Sequence, residues 1–227
     1  MQKIELAVFD MAGTVVNENN VVYKTLQKAI NEGGYDITLE YVLEHGAGKE
    51  KHQAIKDILK IKDNNTDDVL SASIFENFKK LLDQAYKSLD VTSYKGVEEL
   101  LDYLKKNNIK RALNTGYDSA TANLLLDKMG WKLGNQYDVL VTADDVTLGR
   151  PHPDMILKAM NDLGVTDAQM VLKAGDSIID IEEGKNAECG VTVGVTTGAQ
   201  TFEQLASAEP TFVLNELVSL KDLIAVN

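Results

Sequence analysis

Apolar and polar positions along the chain fall into two regimes. Residues 4–9 form a short apolar run broken only by Glu5 and closing on Asp10, which predicts a buried strand. From about residue 20 to residue 90 the apolar spacing becomes three and four. Val21, Val22, Leu26, Ala29 and Ile30 share one helical face that ends at Gly33-Gly34. Two more helical stretches follow, Lys49–Leu59 and Val69–Leu89, separated by the polar loop Lys62–Thr66, with no convincing strand signal between residues 20 and 90. After Gly96 the two periods alternate. Helices are predicted over Val97–Lys106, Ala120–Met129, Asp154–Leu163 and Ile178–Glu188, and strands over Ile109–Leu113, Val139–Val141, Met170–Ala174 and Val191–Val195. Phe202–Ala206, Phe212–Leu214 and Leu217–Ile224 complete the series.

Strands alternating with helices imply right-handed βαβ units and a parallel sheet covered on both faces. The first strand must join that sheet, so the helical block is an insertion after it. The expected fold is α/β, a doubly wound Rossmann-like parallel-sheet core with an inserted all-helical cap. The core would comprise residues 1–16 and 92–227, and the cap residues 17–91.

Composition narrows the partners. The 227 residues are 44% hydrophobic and 26% charged, ordinary for a globular chain. A net charge of −12 argues against nucleic acid or an anionic membrane as partner, since both select basic surfaces. The single cysteine, Cys189, cannot form an internal disulfide. No signal peptide or membrane span is read from the chain, and the expected location is cytoplasmic.

In open parallel sheets the reactive edge lies beyond the carboxyl ends of the strands. The residues placed there are Asp10, then Asn114-Thr115-Gly116-Tyr117, then Gly175-Asp176-Ser177. Two carboxylates, a hydroxyl and glycine-exposed amides suit a phosphoryl group beside a divalent cation. The oxygen ligands Asp10 and Asp176 fit Mg²⁺. A strand-terminal Asp can equally be a helix N-cap, and it is the conjunction with Thr115 that favours function.

These residues resemble the motifs of the haloacid dehalogenase superfamily of phosphotransferases, over nearly the whole chain. Asp10-Met11-Ala12-Gly13-Thr14 stands for its Asp-x-Asp-x-Thr, Thr115 for its second motif, and Gly175-Asp176 through Asp180 for its acidic fourth motif. The resemblance implies Asp10 as the nucleophile forming an aspartyl-phosphate. It also implies Mg²⁺ held by Asp10, Asp176 and the main-chain carbonyl of Ala12. Two departures narrow the match: Ala12 replaces the second aspartate, and the basic residue of motif three is Arg150 in Gly149-Arg150-Pro151. Both features, with Thr115-Gly116-Tyr117, resemble the phosphonoacetaldehyde hydrolase (phosphonatase) branch. That branch carries a cap lysine that forms a Schiff base. Gly46-Ala47-Gly48-Lys49-Glu50-Lys51-His52 resembles its Gly-x-x-Lys-x-x-His, which makes Lys49 the implied imine former. The branch tends to dimerise through its caps, so a homodimer is also implied.

The alanine has a chemical reading of its own. An acid that protonates a leaving alkoxide is worth roughly 10²–10⁴ in rate; the resemblance makes the superfamily's second aspartate that acid, so Ala12 implies its loss while the main-chain carbonyl implied as a metal ligand is kept. Cleavage of a C–P bond needs no such acid when the departing carbanion is stabilised by an imine nitrogen. Lys49 could fill that role, could bind phosphate electrostatically, or could be a solvated helix-start lysine. His52 shares a face with Lys49 if Lys49 is already helical, as a proton relay or as a plain surface histidine. Arg150 balances the site carboxylates and the phosphate or forms a surface ion pair. Asp180 is expected to orient the metal site from behind, and Tyr117 to line the pocket or pack against the cap. His45 and His152 carry no assignment. Three functions remain open: a Mg²⁺-dependent hydrolase of phosphonoacetaldehyde or a close 2-oxoalkylphosphonate, a small-monoester phosphatase, and a non-catalytic phosphometabolite-binding protein.

Overall fold

The computed structural model describes residues 3–224. Its centre is a six-stranded, wholly parallel sheet of β1 (Leu6–Asp10), β4 (Lys110–Asn114), β5 (Val139–Val141), β6 (Val171–Gly175), β7 (Val191–Val195) and β8 (Phe212–Leu214), in the order β5-β4-β1-β6-β7-β8. β1 is buried along its whole length. Its side chains alternate between two apolar layers: Ala7 and Phe9 join the larger core cluster, while Leu6 and Val8 join a smaller one with Met155, Ile156 and Ala159. Helices α5 (Val97–Lys106), α6 (Ser119–Met129), α7 (Asp154–Leu163), α8 (Ile178–Asn186) and α9 (Phe202–Ser207) connect the strands.

Register assembles the reactive edge. β1 pairs with β4 so that Asp10 faces Asn114, and with β6 so that Phe9 faces Ala174. The chain winds outward in opposite directions on either side of β1, making that strand the switch point where such sheets open a crevice. Asp10, Thr115 and Asp176 therefore leave neighbouring strands at one edge.

Between β1 and the rest of the sheet lie four helices, α1 (Val21–Glu32), α2 (Leu39–Gly46), α3 (Lys51–Asp63) and α4 (Asp68–Ser88), packed on one another. Leu26, Ile30, Ile55 and Phe78 of this insert belong to the same continuous apolar cluster as Phe9 and Leu113 of the sheet. An antiparallel pair of two-residue strands, β2 (Val16–Asn17) and β3 (Thr92–Ser93), closes the insert's base. Strands this short leave no period for the sequence to show. Residues Leu217–Asp222 form a 3₁₀ turn, not a full helix.

One boundary matters for the site. α3 begins at Lys51 because Glu50 caps it, its carboxylate accepting from the amides of His52 and Gln53 at 2.8 Å each. Lys49 therefore lies ahead of the helix, and the shared face expected for Lys49 and His52 does not form.

Candidate active site

Asp10, at the tip of β1, is buried against a guanidinium. Arg150 Nη1 donates to Asp10 Oδ1 at 2.7 Å, and Thr14 Oγ1 donates to the other oxygen at 3.3 Å. Burial pushes the Asp10 carboxyl up, and Arg150 pulls it back. Arg150 also reaches Asp180 at 3.0 Å and Glu183 at 3.1 Å, and its Nη2 donates to the carbonyl and side-chain oxygens of Asn114 at 2.8 Å each. The buried ammonium of Lys173, on β6, bonds Asp180 at 2.9 Å, Glu183 at 3.0 Å and Asn114 Oδ1 at 2.7 Å. This lattice of two cations, two carboxylates and an amide fixes Arg150 against Asp10. Desolvated pairs of this kind hold geometry more than they add stability.

Asp176 closes the edge from β6. Its Oδ2 accepts the Ala199 amide at 2.6 Å, and a Cβ on Gly13 or Gly198 would collide with its carboxylate. Burial and the like charges of Asp10 and Asp180 push the Asp176 carboxyl well above the usual range. Carboxylate oxygens of Asp10, Asp176 and Asp180 lie within 4.8 Å of one another. An all-oxygen set in which Asp176 has no cationic partner of its own among the described residues suits a hard divalent cation. Asp180 is already committed to Arg150, Lys173 and Ser177 Oγ, which donates at 2.5 Å, leaving Asp10 and Asp176 as the carboxylates that reach the pocket.

The pocket between these groups is lined by Asp10, Ala12, Thr115, Gly116, Tyr117, Arg150 and Asp176, with Tyr23, Gly48 and Lys51 from the insert. All the core residues expected from the sequence thus meet at one place. The two residues expected from the insert do not reach it. The Lys49 ammonium turns outward to Asp57 at 2.5 Å, and only the Lys49 main chain approaches the site, beside Gly116. The His52 ring stacks on Phe75 with centroids 4.9 Å apart, with its Nε2 3.4 Å from Ser71 Oγ.

Lys51 stands where Lys49 was expected. It is 7% exposed, its ammonium donates to the Lys49 carbonyl at 2.7 Å, and it lies 5.2 Å and 5.7 Å from the ring centres of Tyr23 and Tyr117. Burial holds it below the ordinary lysine value, with Asp10 pulling the other way. Gly48 lets this segment descend onto the core: its φ is +75°, its amide donates to the Tyr23 hydroxyl at 3.1 Å, and a Cβ there would stand 2.5 Å from Ser177 Oγ. The signal existed in the sequence, because the Gly-x-x-Lys spacing recurs two residues later as Gly48 to Lys51. Lys173 was also legible, as a lone cation inside an apolar strand run. Asn114 and Glu183 had no such mark. Beyond Lys51, Gly116 and Tyr117 a cleft of about 600 Å³ opens between α4 and α6, floored by Phe75, Phe78, Leu82 and Leu124.

A parallel sheet with an acidic, cation-braced edge at its switch point is the arrangement in which open α/β sheets hold a ligand. Residues 7–194 match the haloacid dehalogenase-like hydrolase family, and the chain belongs to it. Among relatives, it is 32% identical over 206 residues to a phosphonoacetaldehyde hydrolase of Latilactobacillus sakei, covering 86% of this chain and 76% of that one. It is 30% identical to one from Bacillus cereus, covering 99% and 86%. A phosphonoacetaldehyde hydrolase-like protein from Oleispira antarctica shares the fold with a TM-score of 0.82 at 22% identity, covering 97% of this chain and 91% of that one. This chain is a hydrolase.

Proposed function

We propose that the protein hydrolyses the C–P bond of phosphonoacetaldehyde or a close 2-oxoalkylphosphonate, with residues 17–91 acting as a cap and Lys51, not Lys49, as the imine-forming lysine. The observation that carries this reading is the desolvated Lys51 amine in the same pocket as Asp10, with alanine at position 12. Relatives bearing the name phosphonoacetaldehyde hydrolase support it.

In this mechanism the Lys51 amine adds to the substrate carbonyl and water leaves, giving an iminium. Asp10 attacks phosphorus as the P–C electron pair moves into the iminium, leaving an enamine on Lys51 and an aspartyl-phosphate. Protonation at carbon and addition of water release the aldehyde and free the amine. A second water hydrolyses the acyl phosphate. The net change is one water consumed, with aldehyde and phosphate formed. Arg150 offers a fixed positive charge beside Asp10, and Thr115 with the Gly116 and Tyr117 backbone lines the phosphoryl position. Asp10, Asp176 and the carbonyl of residue 12 would hold Mg²⁺, with Asp180 behind, and the ion would supply charge neutralisation for the phosphoryl oxygens. A monoester phosphatase would need an acid for its leaving group, and Asp10 and Asp176 are the only carboxylates among the described residues lining this pocket.

Borohydride reduction in the presence of phosphonoacetaldehyde tests the reading. A reduced adduct is expected on Lys51 by peptide mass. An adduct on Lys49 would return the role to that residue. No adduct, together with turnover of simple phosphate esters, would overturn the proposal.

A further inference from the structure

The cleft between α4 and α6 has no part in the steps above. It holds about 600 Å³ and adjoins the phosphoryl pocket, sharing Lys51, Gly116 and Tyr117 with it. Asp10, Arg150 and Asp176 line only the pocket, and Phe75, Phe78, Leu82 and Leu124 only the cleft. Lys51 therefore stands at the junction of a charged space and an apolar one.

The walls of the cleft suit an apolar guest. Phe78 and Leu82 are buried, Leu124 on α6 is 39% exposed, and the Phe75 and Phe78 rings stack with centroids 6.2 Å apart. Every charged side chain on the walls already has a partner. Glu50 accepts the His52 and Gln53 amides, Asp118 the Thr121 amide and Asp144 the Ser119 amide. Asp83 pairs with Lys87 at 2.7 Å, Lys79 with Glu76 at 2.6 Å, and Lys51 donates to the Lys49 carbonyl. The hydroxyls of Tyr86 and Tyr117 bond each other at 3.1 Å. No charged group is thus held in reserve for a polar guest, which would lose its water there without compensation. Four carboxylates against Lys51 and Lys79 also disfavour an anionic guest.

We propose that this cleft takes an apolar alkyl or aryl arm on the carbonyl carbon of the substrate, which makes that substrate a ketone, a 2-oxoalkylphosphonate with an apolar arm. The inference rests on the C–P reading and on Lys51 as the imine former. With phosphorus at Asp10 and the carbonyl carbon at Lys51, the remaining carbonyl substituent points away from the charged pocket, and the cleft is the space that adjoins Lys51. The hydrogen of an aldehyde would leave that apolar-floored space unfilled. The arm itself does not react. The amine adds and water leaves, the P–C electron pair passes into the enamine, and protonation at carbon followed by water addition releases a methyl ketone. Phosphonate and one water give methyl ketone and phosphate.

Two inert phosphonates read the cleft without turnover. Calorimetric titration of the full chain with Mg²⁺ present should find phenylethylphosphonate bound roughly 30-fold or more tighter than ethylphosphonate, the effect of burying one phenyl ring. Leu124→Asp should cut that ratio roughly tenfold by placing a charge on the floor. Ala120→Trp, at an exposed position of α6 on the same cleft, should cut it similarly by filling the space. In steady-state kinetics phenacylphosphonate should show a KM roughly tenfold or more below that of phosphonoacetaldehyde and should release acetophenone and phosphate. The counterpart with a carboxylate in place of the phenyl ring should show a KM above both. Equal affinities for the two inert phosphonates alongside turnover of phosphonoacetaldehyde would overturn the proposal, keep the C–P reading and leave the cleft to a macromolecular partner. A ratio that both variants leave intact would also overturn it. The expected ratio without cleavage of any phosphonate would keep the apolar arm and overturn the C–P reading instead.

Discussion

The ammonium of Lys51 is bonded to the carbonyl of Lys49, while the ammonium of Lys49 is bonded to Asp57 on the outer side of the same segment. Two lysines two residues apart thus serve opposite sides of the insert. Replacing Lys51 by alanine should lower kcat/KM for the phosphonate at least about 10²-fold, since no other amine among the described residues lines the pocket. Lys49→Ala should change it by no more than a few-fold, the cost of an ion pair that is a quarter exposed. Steady-state kinetics on both variants separate the two roles. Because the imine forms from the free amine and burial lowers the Lys51 pKa, trapping by borohydride should rise with pH through an inflection below the ordinary lysine value.

Ala12 lines the same pocket as Lys51 and is 9% exposed. Ala12→Asp restores a carboxyl where a leaving alkoxide would depart. Hydrolysis of p-nitrophenyl phosphate, and more so of an alkyl phosphate, should rise roughly tenfold or more, with no gain in C–P cleavage. Unchanged monoester turnover in a folded variant would count against the missing acid as the reason for selectivity.

Asp176 should govern cation binding. Mg²⁺ at 100 times its dissociation constant should stabilise the wild type by about 2.7 kcal/mol, seen as a rise in thermal midpoint, and Asp176→Asn should abolish most of that rise. Without the ion, the same substitution removes one of three crowded buried carboxylates and should leave the midpoint equal or higher. Differential scanning calorimetry with and without the ion checks both halves.

Gly48 combines a left-handed backbone with a steric limit at Ser177. Gly48→Ala should cost about 1–3 kcal/mol and displace Lys51 from the pocket. Denaturant titration measures the first effect. Loss of Lys51 trapping in the folded variant measures the second.

Much of the core was readable before any fold was known. Asp10, Thr115 and Asp176 end apolar runs, and a parallel sheet aligns such ends, so their convergence follows from the strand pattern alone. Helices α6 and α7 begin and end where capping residues and glycines place them, at Asp118 and Gly130, and at Pro153 and Gly164. The paired strands β2 and β3 were invisible because two residues carry no period. Helix α2 was not delimited, although Thr38 caps it by accepting from the Tyr41 amide. Arg150 was singled out beside its proline, but Lys173, Asn114 and Glu183, which hold it, lie far from it in sequence and carry no common motif.

The sequence by itself determined the parallel-sheet class, the helical insertion and the acidic edge of Asp10 and Asp176, because strand and helix periods and strand-end residues are local properties. Only the tertiary structure decided which lysine faces Asp10 and that His52 stacks on Phe75 instead. Those outcomes depend on where Glu50 starts α3 and on how closely Gly48 lets the insert approach Ser177. A shift of two residues at a helix start turns a side chain by roughly 200° about the axis, and no local pattern fixes that angle against a distant sheet.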